Sequence, residues 1–173
     1  MPPISKSKET VQFRIDRTDS SAAVDPEIGD LLTRVYVEEG YTTRERSATL
    51  FAPRAVCSRG QVICARAQAG GALAGIVIVV RPDAPARRMA RADETEMHLL
   101  AVDPAYRGLG LGRTLVGAAA EYAHELGFRK IVLWTQPSMT AARKLYESAG
   151  FARAARRDPV FDGVQFLAYE IQW

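Results

Sequence analysis

The sequence predicts a mixed α/β fold in which helices cover both faces of a single sheet. Three observations support this prediction. Short runs with the two-residue alternation of strands occur in the first half of the chain. The second half alternates strand, helix, strand, helix and strand, with glycine or proline between the segments. No internal repeat or low-complexity tract interrupts this order.

The first elements are a strand and two helices. Residues 11–15 alternate apolar and polar side chains in the strand period. Asp25 and Pro26 predict a helix start, because aspartate is a good N-cap and proline suits the first helical position. Apolar residues at helical spacing extend this helix to about residue 39. A second, weaker helical pattern meets Pro53, which we expect to end or kink that helix.

A hairpin and the fourth strand follow. Residues 61–67 and 72–80 are rich in strand-forming side chains and are separated by Gln-Ala-Gly-Gly, which is typical of a hairpin turn. The second run is apolar on both faces, so we place it in the middle of the sheet. Residues 82–92 contain prolines and arginines and predict a loop. Residues 94–102 predict the fourth strand.

The C-terminal part predicts a parallel strand pair joined by a helix. Apolar residues recur every three or four positions over residues 111–126 and mark a long helix that Gly127 closes. Residues 129–134 predict a fifth strand, parallel to the fourth because a helix connects the two. Residues 138–149 predict another helix, and residues 164–171 predict a last strand. Ligands of such sheets bind where strand ends diverge, beside a helix N-terminus.

Length and composition exclude several classes of protein. The 173 residues, 47% of them hydrophobic, suit one domain, expected over residues 11–173 after a disordered tail over residues 1–10. The net charge of +3 is spread among charges of both signs, which disfavours nucleic-acid binding. The longest apolar run, residues 72–80, is far shorter than the roughly 20 residues of a membrane helix. Since no secretory signal is present, we expect a cytoplasmic protein without membrane partners, and a homodimer stays open.

A glycine loop joins the fourth strand to the long helix and reads Arg-Gly-Leu-Gly-Leu-Gly-Arg from Arg107 to Arg113. N–H groups at a helix start lack intrahelical partners, and Gly108, Gly110 and Gly112 have no Cβ to hold an anion away. The helix dipole and both arginines add positive potential, so the loop predicts a phosphate site. Its spacing matches neither a dinucleotide fingerprint nor a P-loop, which argues against NAD and ATP. A glycine turn that only caps the helix is the alternative.

This loop resembles motif A of the GNAT superfamily of N-acetyltransferases, whose signature is R/Q-x-x-G-x-G/A after a strand. Arg107, Gly110 and Gly112 fill that signature here. Residues 142–151 resemble motif B, which supplies the next helix of that fold. The two motifs occur in order, separated by a helix and a strand. The resemblance covers residues 93–156 well and the rest of the chain by element order.

The resemblance implies a mostly antiparallel sheet of six to seven strands whose parallel pair splays apart. It also implies that acetyl-CoA lies in this splay, with its pantetheine arm on the fourth strand and its pyrophosphate on the glycine loop. Met139 stands where many members have an asparagine, so it is an open question whether this chain makes a polar contact from that position to the pantetheine arm or the acceptor. The positions assigned to acetyl-CoA by the resemblance are Leu100, Ala101, Val102, Arg107, Gly108, Leu109, Gly110, Leu111, Gly112 and Arg113.

Acetyl transfer to an amine needs a group that accepts the amine proton. Deprotonating an amine of pKa about 10.4 at pH 7 costs about 4.6 kcal/mol. Glu96 is the candidate base, because its position resembles that of a carboxylate in many GNAT members. The strand period places Glu96 on one face with His98, Leu100 and Val102. Glu96 could instead pair with an arginine of residues 82–92 in a structural or substrate-binding role, and His98 is either a proton relay or a core residue.

Three tyrosines are further candidates. Tyr146 matches the family tyrosine that protonates the leaving thiolate, and packing in the core is its alternative role. Tyr36 and Tyr41 lie between the first two helices, where the resemblance places the wall of the acceptor site. With Glu38 and Glu39 they would suit a cationic amine, whereas a solvated helix end is the alternative. The two cysteines lack the spacing of a zinc site, so we expect no metal centre.

Together these features predict an acetyl-CoA-dependent N-acetyltransferase that acts on the primary amine of a small molecule. A protein or peptide amine is the alternative acceptor. A CoA-binding sensor without turnover is the alternative from another class, and the presence of both Glu96 and Tyr146 argues against it. Only the glycine loop favours a nucleotide-binding module.

Overall fold

The computed structural model describes residues 11–18 and 26–173. Its strands are β1 (Phe13–Arg17), β2 (Gly60–Ala67), β3 (Leu73–Val80), β4 (Glu94–Val102), β5 (Lys130–Thr135), β6 (Ala152–Arg153), β7 (Val160–Phe161), β8 (Val164–Gln165) and β9 (Leu167–Gln172). One seven-stranded sheet has the order β1-β2-β3-β4-β5-β9-β6, and β7 and β8 form a separate hairpin. In the large sheet the β4–β5 pair is parallel and the other pairs are antiparallel. The predicted mixed, mostly antiparallel sheet is thus confirmed.

The helices match the prediction in order and differ from it in detail. They are α1 (Pro26–Leu32), α2 (Arg44–Leu50), α3 (Pro53–Cys57), α4 (Leu111–Glu125) and α5 (Thr140–Ser148). The first continues as a π-helical segment over Thr33–Glu38, a wider turn that is frequent at functional sites. Pro53 begins α3 instead of ending α2, because proline suits the first helical position. The predicted cap at Asp25 and the predicted tail over residues 1–10 lie outside the described residues.

The sheet carries a hydrophobic layer on each face, as predicted. On one face α4 packs with its fully buried Leu115, and Gly75 of β3 permits this close approach. A Cβ at Gly75 would lie 2.8 Å from Leu115 Cδ1. On the other face Leu31 and Leu32 of α1 are fully buried, and each such burial stabilises the fold by roughly 1.5–3 kcal/mol. Among the described residues, no helix combines the length and the apolarity needed to cross a bilayer.

The strand boundaries differ from the prediction at both ends of the chain. The first strand is Phe13–Arg17 and not residues 11–15, because Phe13 is the first residue that pairs with β2. After α5, the two-residue strands β6 and β7 precede the predicted last strand, and that strand over residues 164–171 is divided into β8 and β9. Strands of two residues have no periodicity, so the sequence pattern could not reveal them.

A β-bulge in β4 changes which side chains share a face. Ile76 of β3 pairs with Ala101, whereas Ile78 pairs with His98, so β4 contains one extra residue between these pairs. Leu99 lies in this interval and has a φ of 49°, which is unusual for a residue other than glycine. The prediction that Leu100 and Val102 share the face of Glu96 and His98 is therefore wrong. Both pack on the α4 side, and Ala101 packs on the α1 side.

The parallel pair separates after a short contact. Residues Glu94 to Glu96 of β4 pair with Lys130 to Val132 of β5, and the register ends there. Beyond this point β4 continues beside β3, and β5 continues beside β9. The two strand ends thus diverge, as the resemblance implied, and leave a cleft that opens toward the loop after β4.

Candidate active site

The glycine loop has the geometry of an anion-binding helix start. Gly108 and Gly110 have φ values of 77° and 79°, in the left-handed region that favours glycine. Gly110 is the N-cap of α4, and the Thr114 N–H donates to its carbonyl at 3.1 Å. The N–H groups before Thr114 precede the first turn of hydrogen bonds in this helix. They therefore remain available to an anion at the end of the cleft.

The three glycines of the loop have different roles. A Cβ built on Gly108 or Gly110 meets no atom within 4 Å, so both positions face open space. A Cβ on Gly112 would lie 2.8 Å from Leu145 Cδ2 of α5. The first two glycines thus keep the loop open, whereas Gly112 allows α4 to pack against α5.

Both arginines of the loop bind neighbouring elements. Arg107 Nη2 lies 2.5 Å from Glu39 Oε1, and its Nε donates to the Val102 carbonyl at 3.2 Å. The Arg113 guanidinium donates to the Ser148 carbonyl at the C-terminal end of α5. These contacts hold the loop between the π-helical segment, β4 and α5. Contacts of the two side chains with a phosphate stay a prediction.

The segment between α1 and α2 bridges the diverging strands. The Tyr36 hydroxyl donates to the Leu100 carbonyl of β4 at 2.9 Å. The Tyr41 carbonyl accepts a hydrogen bond of 2.7 Å from Gln136 Nε2, directly after β5. Both tyrosines named from the sequence therefore lie at the cleft. Glu39 is bound by Arg107, so its charge is already partnered.

The free edge of β4 faces the cleft after the bulge. The Leu100 and Val102 carbonyls accept hydrogen bonds from Tyr36 and Arg107, which lie on that side. In an extended strand the N–H and C=O of one residue point to the same edge, so we expect the N–H groups of Leu100 and Val102 to face the cleft as well. The side chains of Ala101 and Leu111 belong to the core, while Leu109 is half exposed.

Glu96 is fully buried at the base of the diverging strands, and both of its oxygens are occupied. Oε1 accepts hydrogen bonds from the backbone N–H groups of Arg88, Met89 and Ala90, those from Arg88 and Ala90 at 2.8 and 2.7 Å. Oε2 lies 2.8 Å from His98 Nε2. Burial alone would raise the pKa of Glu96, but the hydrogen bonds from His98 and the loop amides outweigh it and lower that pKa. Glu96 therefore stays ionised and holds the loop over residues 82–92 through its backbone.

His98 connects Glu96 to Arg59 and Trp134. Its Nδ1 lies 3.5 Å from Arg59 Nη1, and its ring contacts Trp134 edge-on at a centroid distance of 4.6 Å. Burial lowers the pKa of His98, and the charges of Arg59 and Arg88 lower it further against the effect of Glu96. The imidazole is therefore neutral at pH 7. With the Nε2 proton donated to Glu96, the lone pair of Nδ1 accepts only the long contact from Arg59 and can accept a proton in its place.

Tyr146 lies on α5 and belongs to the hydrophobic layer on the α4 side of the sheet. It is 7% exposed and packs against the rings of Phe151 and Tyr169. Burial raises the pKa of the Tyr146 hydroxyl, which therefore stays protonated at neutral pH. The hydroxyl of Tyr36 is close enough for Tyr146 to influence its ionisation. Met139 is the N-cap residue of α5, and its sulfur accepts a hydrogen bond from the Thr135 hydroxyl at 3.5 Å.

A family model described as the acetyltransferase (GNAT) family matches residues 26–151, which include β4, the glycine loop, β5 and α5. The chain belongs to the GNAT family. Members of this family are acyltransferases, and the resemblance found in the two motifs is thereby confirmed.

Solved structures of GNAT proteins share the fold over nearly the whole chain. A GNAT-family acetyltransferase from Staphylococcus aureus Mu50 has a TM-score of 0.72 and 19% identity, covering 93% of this chain and 99% of that one. A Bacillus subtilis acetyltransferase in complex with CoA has a TM-score of 0.65 and 22% identity, covering 94% of this chain and 99% of that one. At these identities the likeness concerns the fold.

Curated GNAT relatives match a shorter part. A mycothiol acetyltransferase from Geodermatophilus obscurus is 42% identical over 60 residues, which are 35% of this chain and 20% of that protein. A second one, from Cellulomonas flavigena, is 36% identical over 87 residues, 50% of this chain and 25% of that protein. The matched segment thus spans about a fifth to a quarter of these relatives.

Several residues of this GNAT cleft escaped the sequence analysis. Trp134 follows Val132 by two positions, and Val132 pairs with Glu96, so the strand period could have placed Trp134 on the face of Glu96. Arg59 and Phe161 come from a turn before β2 and from the β7–β8 hairpin. No local pattern marks them, because only the tertiary fold brings them to His98.

Proposed function

We propose that this chain is an acetyl-CoA-dependent N-acetyltransferase that acts on the primary amine of a small molecule. The observation that carries the proposal is the divergence of β4 and β5 directly before the glycine loop. This arrangement joins an edge of free backbone groups to a helix start that is open to an anion. It suits a long ligand with an amide-containing arm and a diphosphate.

The residues of the cleft fit acetyl-CoA. The N–H groups of Leu100 and Val102 would hold the pantetheine arm, and those of residues 108–113 would hold the pyrophosphate. Both left-handed glycines face open space, so no side chain obstructs the loop. When bound, acetyl-CoA supplies an acetyl group activated as a thioester. Its leaving group is a thiolate whose conjugate thiol has a pKa of about 8.5.

Glu96 and His98 form the proton-accepting pair in this proposal. His98 Nδ1 takes the proton from the attacking amine, and the Glu96 carboxylate at 2.8 Å stabilises the imidazolium that results. Glu96 thus acts as base through His98 and not by direct contact, because its own oxygens are already occupied by the loop and by His98. The neutral state of His98 at pH 7 is the state this role requires.

Tyr146 is the proton donor in this proposal. Its buried hydroxyl stays protonated at neutral pH, and its proton would go to the departing sulfur as the new bond between nitrogen and the acetyl carbon forms. Tyr36 lies beside it and fixes the bulged part of β4 through the Leu100 carbonyl. Tyr36 and Tyr41 lie on the segment that contacts both diverging strands, and the proposal assigns them to the wall of the acceptor site.

A screen of primary amines for CoA release tests the proposal. The panel includes small amines, peptides and the acceptor used by mycothiol acetyltransferases, with melting temperature recorded in parallel. We expect release with small amines, and a melting shift that matches about 2.7 kcal/mol of stabilisation at acetyl-CoA concentrations near 100 times its Kd. Release with peptides alone would favour a peptide acceptor, and a melting shift without any release would favour a sensor. No melting shift with saturating acetyl-CoA would overturn the proposal.

A further inference from the structure

Two guanidinium groups converge on the acceptor side of His98. Arg59 precedes β2 and lies within 3.5 Å of His98 Nδ1. Arg88 comes from the loop over residues 82–92, and its Cζ lies 5.9 Å from the ring centroid of Phe161. The charges of both side chains act on His98. The charge of Arg88 also acts on Arg59, so the two positive charges lie near each other on this side of the proposed base.

Neither guanidinium has a carboxylate partner among the described residues. Arg59 donates to the Leu50 carbonyl at 3.3 Å and approaches His98, and both contacts are long. Its Nε is buried and makes no hydrogen bond in the described part of the chain. Glu96, the nearest buried carboxylate, is already bound by three amides and by His98.

Three other arginines of this region pair with carboxylates. Arg107 pairs with Glu39 at 2.5 Å, Arg46 pairs with Asp162 at 2.7 Å, and Arg157 binds Glu94 through both of its terminal nitrogens at 2.9 and 2.7 Å. A half-buried guanidinium such as that of Arg59 is unfavourable without a counter-ion, and an anion shared with the exposed Arg88 would remove that cost.

We propose that Arg59 and Arg88 form a subsite for an oxyanion group of the acceptor, so that the substrate class is amines that also carry a carboxylate or a phosphate. This inference rests on the proposed N-acetyltransferase function. The amine of such a molecule would lie toward His98 Nδ1 while the anion lies between the two guanidinium groups. Trp134 and Phe161, whose ring centroids are 5.1 Å apart, supply an aromatic wall beside it.

This assignment reverses the charge preference expected from the sequence, which favoured a cationic acceptor next to Glu38 and Glu39. The Glu39 carboxylate points to Arg107, and apart from Glu96 the charges that act on the proposed base are the positive ones of Arg59 and Arg88. Diamines should therefore be poor acceptors, because their second ammonium group would meet Arg59 and Arg88.

Matched acceptors test the subsite. Glycine, β-alanine and 4-aminobutyrate are compared with their carboxamides, and phosphoethanolamine is compared with ethanolamine, by CoA release. We expect the KM of one anionic series to be lower than that of its neutral partners by about tenfold to a hundredfold, as charge-assisted bonds to arginine predict. The carboxylate and phosphate arms identify which anion is preferred. Equal KM values within every pair would overturn the inference.

Variants of the arginines locate the effect. Arg59→Gln and Arg88→Gln should raise the KM of the anionic acceptors until it approaches the KM of their neutral partners. Arg91→Gln is the matched control, because it removes a charge from the same loop and the contacts of Arg91 given by the structure are those of its backbone. A loss of preference in Arg91→Gln as large as in Arg59→Gln would point to the general charge of the loop and contradict the subsite.

A binding measurement separates failure of this inference from failure of the proposed function. The melting temperature is recorded with CoA and either an N-acetylated amino acid or its carboxamide, which needs no turnover. A larger shift with the carboxylate supports the subsite even if no amine is acetylated. Equal shifts, or none, contradict it even if acetyl transfer is observed.

Discussion

The two ends of the cleft differ in which parts of the chain form them. The glycine loop is a single continuous segment, residues 107–113, and acts through backbone groups whose geometry its own glycines set. The acceptor end assembles side chains from separate parts of the chain, which are Tyr36, Arg59, Arg88, Glu96, His98, Trp134 and Phe161. A substitution in the loop should therefore act locally, whereas a substitution at the acceptor end should disturb several elements at once.

The strongest test of the loop is Gly110→Val. The valine side chain would enter the open space beside the helix start, so acetyl-CoA binding should fall by more than about 10³-fold in titration calorimetry. The φ of 79° should also cost about 1–2 kcal/mol of unfolding free energy. Gly70→Val is the control, because its φ of 81° gives the same strain far from the loop. Unchanged affinity in Gly110→Val would show that the loop only caps α4.

At the acceptor end, Glu96→Gln should have the largest effect on rate. The amide would turn an N–H toward His98 Nε2 and force the imidazole proton onto Nδ1, the atom that must accept the substrate proton. We expect kcat to fall on the order of 10³-fold at pH 7 and to recover partly at alkaline pH, where more of the amine is neutral. A rate equal to that of the unmodified protein at every pH would exclude the pair as the base.

Acidic pH should lower the stability of the protein through the ion pair between Glu94 and Arg157. Glu94 binds Arg157, which also donates to the Met89 carbonyl at 2.9 Å. Burial works against ionisation of Glu94, but Arg157 and the Arg91 amide hold its pKa at about 2. Its contribution, on the order of 3 kcal/mol, is present above about pH 4.5 and is lost as the pH falls toward 2. Urea titrations between pH 6 and 2 should show a smaller loss in Glu94→Gln than in the unmodified protein, and equal losses would contradict the assignment.

Tyr146→Phe tests the proton donor. Because a thiolate is a tolerable leaving group near pH 8, kcat should fall only about 10²-fold, with acetyl-CoA affinity unchanged. Tyr169→Phe is the control: its hydroxyl donates to Glu147 at 3.0 Å, so its loss should lower stability and leave kcat in place. Equal rates for Tyr146→Phe and the unmodified protein would assign Tyr146 to packing alone.

The smallest effect is expected for Tyr36→Phe. Removing the hydroxyl leaves the Leu100 carbonyl without this donor, which costs about 1 kcal/mol. The KM of the acceptor should rise several-fold in steady-state kinetics, while the Kd of acetyl-CoA changes less. A larger change in acetyl-CoA affinity than in acceptor KM would show that Tyr36 contributes to cofactor binding and not to acceptor binding.

The same difference explains what the sequence could predict. The glycine loop, α4 and the parallel pair follow from local spacing, and the structure confirms the fold they predict. The neighbours of Glu96 did not follow, because a carboxylate bound by three loop amides looks the same in sequence as one bound by an arginine. The face of Leu100 was predicted wrongly, since the bulge at Leu99 adds one residue that no periodicity reveals.

That single extra residue also determines where β4 can lose a residue. Deleting Leu99 would remove the bulge and leave Leu100 and Val102 on the α4 side and Ala101 on the α1 side. Deleting Met97 would instead make Glu96 and His98 chain neighbours, whose side chains point to opposite faces of a strand. The contact between these two side chains would then be lost. We therefore expect deletion of Met97 to be tolerated far less well than deletion of Leu99 or an insertion in the exposed turn around Gly70.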